Sequence, residues 1–345
     1  MSGEHVLLEI LDSVPQKRIS ETRRFAILVL GSLCCMCCSF SYAFNLIAPT
    51  MQQKYNLSQR DITTITTVGL VVQYSSLPYA FLYDHFGPLI VSALGLIYFV
   101  TGSVGMALCF QGIITGTVVR LSVLNAIMLS GCSMFDLTSC VTTPSHFPTR
   151  KGLVAALLKT FTGLGSAIVG ALYIAFFNTR VDNYLFFLAA IGGVTGICAI
   201  AFMHLPSYHL TNYQLLHMEE DEKRVRLARK TQYLKQNPPL ACFIYGFALI
   251  TFLIVFLPTE SALVTYLNLS SKYKAGFGII VTIATLAFIG VAFPVAFIKE
   301  LNYKRKSSSS FSSEPLSVNN NREAPYNSNN RVDNDTKACV TVSPE

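Results

Sequence analysis

The sequence predicts an all-α, polytopic membrane protein, and three observations support that fold class. Hydrophobic residues make up 52% of the 345 residues and charged residues only 13%, with a mean hydropathy of +0.47. Because soluble domains carry about 25% charged residues, this chain lacks the charge of a solvated surface. The chain also contains eight apolar stretches, each about as long as the roughly 20 residues that cross a hydrocarbon core in a helix.

The eight predicted spans divide the chain into a bundle, a loop, two further helices and two tails. Spans 1–8 are predicted, in order, near residues 25–48, 62–83, 89–110, 114–137, 152–178, 184–204, 239–258 and 275–298. The predicted domains are therefore a polar N-terminal tail (1–24), a six-helix transmembrane bundle (25–204), a charged loop (205–238), transmembrane helices 7 and 8 (239–298), and a tail rich in Ser and Asn (299–345). The loop is predicted to form a solvated helix, with contact to anionic lipid as the alternative, and the C-terminal tail to be disordered.

The distribution of Lys and Arg predicts that both termini are cytoplasmic. With that orientation the cytoplasmic segments hold 19 basic residues and the opposite loops only five, as the positive-inside rule requires. The sequons that begin at Asn56 and Asn268 both fall in the opposite loops, so these two residues are candidate glycosylation sites. The sequence does not distinguish the plasma membrane from an internal compartment.

Three stretches of the chain resemble a known transporter family. Ala80, Asp84 and Gly87 have the spacing of the loop between helices 2 and 3 in the major facilitator superfamily. Pro88 stands where that loop usually has basic residues, and the run YDHFGP from Tyr83 is similar to the nodulin-like branch of the superfamily. Residues 41–59 are similar to the helix 1 exit and first loop of that branch, and residues 147–167 to its helix 4–5 region.

The resemblance covers roughly residues 25–204 and implies one lobe of a two-lobed carrier that works by alternating access. The implied function is secondary transport of a small solute, either an organic anion or a metal ion or chelate. Since the chain supplies one lobe plus two helices, we expect it to be truncated, and spans 7 and 8 either begin a second lobe or are an inserted pair. The alternative is a non-transporting membrane adaptor or an inactive carrier fragment.

The expected partners are the lipid bilayer, a small solute or ion, and either a second copy of the chain or a separate C-terminal half. Nucleic acid is not expected, because the basic residues flank apolar segments. The chain has no H-E-x-x-H motif, no G-x-S-x-G motif and no paired carboxylates within a span. We therefore expect no enzyme activity and no cofactor.

Two basic residues lie inside predicted spans. Lys159 is eight residues from Lys151, or about 12 Å deep at 1.5 Å per residue, and a charge at mid-depth costs at least about 2.5–3.5 kcal/mol. Lys159 is therefore expected to have either a structural partner or a substrate or gating role. Arg120 is predicted about 10 Å inside span 4, where its planar fork suits carboxylate or phosphate, with a structural role as the alternative.

Other polar residues and glycines complete the candidate site. The remaining candidates for lining a substrate cavity are Tyr42, Asn45, Gln73 and Tyr74, with interhelical hydrogen bonding as the alternative. The candidate gating or conformational residues are Asp84, Gly87, Asp136, Gly163 and Gly165. Asp136 is predicted to end span 4 and could form an ion pair with Lys159 that opens and closes with a cytoplasmic gate. Asp84, at the end of span 2, is expected to cap or bridge helix ends.

Four cysteines of span 1 form two overlapping C-x-x-C patterns, at Cys34, Cys35, Cys37 and Cys38. They lack both the βαβ context of a redox site and the second cysteine pair of a zinc site. Successive positions also spread around a helix instead of converging. We interpret the four as packing or lipid-facing residues and expect no metal site, with transient contact to a soft metal as the alternative.

Overall fold

The computed structural model describes residues 19–177, 180–267 and 270–293. All regular secondary structure in these ranges is helical, and eight helical segments are long and apolar enough to cross a membrane. Spans 1–8 are, in order, Glu21–Tyr55, Gln59–Phe86, Pro88–Gln111, Val118–Ser145, Lys151–Phe177, Val181–Phe202, Leu240–Tyr266 and Ser271–Ala292. The predicted all-α membrane fold is confirmed. The predicted C-terminal tail and Asn268 lie outside the described residues, as does the N-terminal tail up to residue 18.

Spans 1 and 2 were each predicted as a single helix, but each is broken into two helices. Span 1 consists of Glu21–Cys38 and Phe40–Tyr55, and the hydroxyl of Ser39 donates to the carbonyl of Met36 at the break. Span 2 consists of Gln59–Tyr74 and Leu77–Phe86. Pro78 explains the second break, because it has no N–H to donate to the carbonyl four residues earlier and favours the start of a new helix.

Spans 4 and 7 extend beyond their predicted ends. Span 4 runs to Ser145, not to residue 137, and the extra turns carry Ser and Thr side chains that are buried against other helices. Span 7 runs to Tyr266, not to residue 258, because the helix continues past Pro258. The Ser and Thr residues of span 4 and Pro258 of span 7 suggested that the helices end there. Tertiary packing overrides these local signals.

Spans 3, 4 and 6 pack closely together, and span 1 lies at the centre of the bundle. A Cβ at Gly102 would lie 2.5 Å from the backbone nitrogen of Met128. Glycine at this position therefore allows spans 3 and 4 to approach each other closely. Span 1 packs against spans 4, 5 and 6 and against the end of span 8. Span 7 joins the same body through Phe243, whose ring contacts Phe25 and Phe147 edge-on.

The loop between spans 6 and 7 carries two helices, Asn212–His217 and Glu220–Lys235. In the second helix Lys223 pairs with Glu220 at 2.7 Å and Arg226 pairs with Glu222 at 3.0 Å. Gln236, just after this helix, donates to the backbone carbonyl of Ile19 at 2.9 Å. The loop therefore lies at the end of the bundle where span 1 begins. We call this the basic end, because Arg23, Arg24, Arg150 and Lys151 lie there.

Candidate functional site

Asp136 of span 4 and Lys159 of span 5 form an ion pair inside the membrane-spanning region. The Lys159 Nζ lies 3.0 Å from Oδ1 and 2.9 Å from Oδ2 of Asp136. Asp136 precedes the end of span 4 at Ser145 by nine residues, and Lys159 follows the start of span 5 at Lys151 by eight. These positions correspond to depths of about 14 and 12 Å from the basic end. The prediction that Asp136 ends span 4 was wrong, but the two side chains do meet.

The pair lies on a face of the bundle that differs chemically from the exposed faces of spans 3 and 6. The Lys159 side chain is 56% exposed and the Asp136 side chain 27%. Along span 5 the neighbouring exposed positions are small: Ala155, Ala156, Gly163 and Ala167. Spans 3 and 6, in contrast, expose several large apolar side chains, such as Ile97, Val194 and Ile197. Because lipid is a poor environment for charge, the face around Lys159 is suited to water or to another protein surface.

Two cysteine sulfurs approach the carboxylate of Asp136. Cys35 Sγ of span 1 lies 3.8 Å from Asp136 Oδ1, and Cys140 Sγ of span 4 lies 3.6 Å from the same oxygen. Cys35 is buried, and its sulfur also lies 3.0 Å from the hydroxyl of Ser139. All four span 1 cysteines are buried, which fits the packing interpretation and not the lipid-facing one. Cys35 also contacts polar groups of span 4, which that interpretation did not predict.

The polar candidates of spans 1 and 2 divide into exposed and buried groups. The hydroxyls of Tyr42 and Tyr74 lie 3.4 Å apart, and both side chains are exposed, as is Asn45. Gln73 is only 5% exposed, and its Nε2 donates to Ser41 Oγ at 3.4 Å. Tyr42, Asn45 and Tyr74 are thus available to a cavity, whereas Gln73 joins two helices, as the alternative interpretation expected.

Arg120 lies at the end of the bundle opposite the basic end. Span 4 begins at Val118, so Arg120 is about 3 Å from the start of the helix, not about 10 Å. Its guanidinium donates to the carbonyl and to the hydroxyl of Thr115 in the preceding loop, and the side chain is exposed. The predicted depth was wrong because the helix starts four residues later than predicted. Any substrate contact of Arg120 is therefore at the rim of the bundle.

The turn between spans 2 and 3 lies at the basic end. Gly87 has φ +86° and its N–H donates to the carbonyl of Tyr83 at 2.7 Å, a left-handed conformation that favours glycine. Asp84 is exposed. His209, in the loop after span 6, has its pKa lowered by burial and by Lys151, while Asp84 acts in the opposite direction. Asp84 thus contributes negative charge to a cluster in which three segments meet.

The two candidate glycines of span 5 have different surroundings. A Cβ at Gly165 would overlap the hydroxyl of Ser39 and lie 2.9 Å from the carbonyl oxygen of Met36. Gly165 therefore lets span 5 touch span 1 at its break. Gly163 has no such neighbour within 4 Å among the described residues and lies on the exposed face beside Lys159. The gating roles of both glycines stay predictions.

Arg24 lies in a buried polar cluster that was not predicted from the sequence. Arg24 is 1% exposed, and its Nε and Nη2 donate to the backbone carbonyl of His146 at 2.9 and 2.6 Å. Its Nη1 donates to Glu21 Oε1 at 3.1 Å and to the carbonyl of Gln236 at 3.2 Å. Arg24 was counted only as one charge of the positive-inside pattern. The acidic residue three positions earlier was the sequence signal for a local partner.

His146 belongs to the same cluster. Burial, together with the nearby charges of Arg24 and Arg23, lowers the pKa of His146 to about 4, although the hydrogen bond to the carbonyl of His204 acts in the opposite direction. The ring is therefore neutral near pH 7, and its Nε2 donates to the carbonyl of His204 at 2.7 Å. The cluster thereby joins the ends of spans 4 and 6 to the start of span 1.

A second omission is Glu260 of span 7. The predicted end of span 7 at residue 258 put this carboxylate in a loop, whereas the span continues to Tyr266 and Glu260 is only 4% exposed. Within the described part of the chain no hydrogen bond or ion pair of Glu260 is present.

Comparison with known proteins identifies the family. The model of the family described as Major Facilitator Superfamily matches residues 28–307, which is more than half of the chain. No curated protein matches the chain. The matched range includes spans 2–8 and most of span 1. The chain therefore belongs to the major facilitator superfamily of membrane transporters, as an integral, multi-pass membrane protein.

Proposed function

We propose that the chain is the transporting lobe of a secondary carrier for a small solute, which works by alternating access. The face that carries Lys159 then lines the transport pathway. The observation that carries this proposal is the Asp136–Lys159 ion pair. It lies about 12–14 Å from the basic end along the helix axes, and it is exposed on the lateral surface of the bundle.

An exposed ion pair at this depth needs water or protein beside it. A bare charge in lipid costs at least about 2.5–3.5 kcal/mol, and the small side chains around Lys159 allow another helix surface to approach closely. We therefore propose that a second lobe, from another copy of this chain or from a separate chain, covers this face and encloses a polar cavity between the lobes. Tyr42, Asn45 and Tyr74 are the proposed cavity residues on spans 1 and 2.

The pair also suggests how a solute and the gate are coupled. Lys159 and Asp136 join spans 5 and 4, and each satisfies the charge of the other. An organic anion would compete for Lys159, and a metal ion would compete for Asp136. Binding of either solute therefore replaces the contact between spans 4 and 5 with a contact to the solute. A solute that binds more tightly to the conformation in which the two spans are separated shifts the conformational equilibrium toward it.

Two finer assignments also belong to this proposal. We propose that the chain lies in the nodulin-like branch, on the strength of the run from Tyr83 to Pro88 and the stretches 41–59 and 147–167. We also propose that the basic end is cytoplasmic, as the Lys and Arg distribution favours. Labelling of single cysteines placed at positions 56 and 220 in intact cells tests the orientation, since accessibility of both from the same side contradicts it.

Transport is tested with the purified chain in liposomes, using a panel of organic anions and divalent metal ions. We expect flux of at least one solute, and a large loss of that flux in Lys159→Ala. The control is Lys272→Ala, which removes an exposed lysine at the start of span 8 and leaves the ion pair intact. Equal flux in the two variants contradicts the role of Lys159. Absence of flux for every solute contradicts a carrier built only from copies of this chain, and favours the adaptor or a carrier whose second lobe is a separate chain.

A further inference from the structure

We propose that Cys35, Asp136 and Cys140 form a binding site for a thiophilic divalent cation of the zinc type. That this cation is a transported solute rests on the proposed function, whereas its binding does not.

The geometry of the three side chains fits a metal ion. Their ligand atoms all lie within 4.8 Å of one another, and the two sulfur–oxygen distances are 3.8 and 3.6 Å. A tetrahedral zinc ion, with Zn–S of about 2.3 Å and Zn–O of about 2.0 Å, separates its ligand atoms by about 3.5–3.8 Å. The two sulfurs and the oxygen therefore need only small movements to reach coordinating positions.

The helices preorganise this ligand set. Asp136 and Cys140 are four residues apart on span 4 and so lie on one face of the helix. Cys35 is supplied by span 1, which packs directly against span 4, and its sulfur is further oriented by the hydroxyl of Ser139. Two thiolates favour zinc-type ions over magnesium or calcium, which prefer oxygen ligands throughout.

Lys159 makes the site electrically balanced. Two thiolates and one carboxylate carry three negative charges, which a divalent cation and the ammonium of Lys159 cancel. Such a site holds no net charge in the low-dielectric interior, where an uncompensated charge is costly. The two thiol protons leave to solvent when the sulfurs coordinate, because the thiolate is the metal ligand.

Lys159 also competes with the metal. Its ammonium lies about equally close to both oxygens of Asp136, so the incoming cation must displace it from one of them. The exposure of Lys159 shows that this side of the site is open. The cation reaches the site from this side, and a water or a group from a facing lobe completes the tetrahedron.

The test measures metal binding by the full chain, purified in detergent. Titration with Co²⁺ is expected to give thiolate-to-metal charge-transfer absorption, which Zn²⁺ then displaces. The Cys35→Ser/Cys140→Ser double variant is expected to lose this absorption and to bind Zn²⁺ at least about tenfold more weakly, since even indirect partners of metal ligands contribute about 10–100-fold. Cys109→Ser/Cys242→Ser is the matched control, because it removes two other buried cysteines and is expected to bind normally.

Lys159→Met provides an independent readout. It removes the competing ammonium and is expected to bind Co²⁺ more tightly than the unmodified chain, a gain that misfolding does not produce. Equal charge-transfer absorption in the two cysteine double variants overturns the site, as does weaker binding in Lys159→Met.

Zinc uptake into liposomes separates this inference from the proposed function. Binding without uptake supports the site and contradicts zinc as the cargo. Uptake of another solute by a chain that gives no charge-transfer absorption supports the carrier and overturns the metal site.

Discussion

Replacing Arg24 with alanine removes the centre of the buried cluster at the basic end. The side chain is 1% exposed, and its hydrogen bonds connect Glu21, His146 and Gln236. Its guanidinium also lies 4.9 Å from the ring centre of Phe147. The substitution leaves a buried carboxylate without its cation and two carbonyls without a donor. Removing one partner of a buried ion pair typically costs about 3–5 kcal/mol, and we expect a loss of stability of that size.

The assay is unfolding in mixed micelles, followed with a thiol-reactive dye. The dye suits this protein because most of the described cysteines are free and buried, so they react only when the helices separate. Arg23→Ala is the matched control, since Arg23 is the exposed neighbour of Arg24 on the same helix. Surface charges contribute about 0–1 kcal/mol. Equal losses in the two variants would refute the argument that burial and hydrogen bonding make Arg24 special.

Two further predictions concern packing and pH. Gly165→Ala is expected to destabilise the bundle by about 1–3 kcal/mol, because the added carbon overlaps Ser39. Gly163→Ala, on the open face, is expected to be nearly neutral. Measuring the unfolding of both variants checks this prediction. His146 has a pKa lowered from 6.5 to about 4 in the folded chain, so it favours folding fully above pH 6.5. We expect about 3 kcal/mol of that stability to be lost as the pH falls from 6.5 through 4. His146→Gln is expected to abolish this part of the acid sensitivity, and an unchanged pH profile in that variant contradicts the assignment.

For the described part of the chain, the sequence was sufficient for the number and type of the spans, but not for the depth of every residue. The depth of Lys159 was correct because span 5 begins at Lys151, close to its predicted start at 152. The depth of Arg120 was wrong because span 4 begins and ends later than its hydropathy suggests. The same shift moved Asp136 from the end of the helix into its interior. Buried Ser and Thr look like loop residues in a hydropathy profile, although hydroxyls such as those of Ser139 and Ser145 donate to carbonyls of their own helix.

The contacts of Cys35 illustrate a different limit. Position along a helix fixes the depth of a side chain, but its neighbours depend on how the helix is rotated and which helices it crosses. The four cysteines of span 1 do spread around their helix, and yet Cys35 meets Cys140 and Asp136, because span 4 packs against that side. The pattern within span 1 lacks this information. The spacing of Asp136 and Cys140 on span 4 was visible in the sequence, and it would have identified half of the cluster before the packing was known.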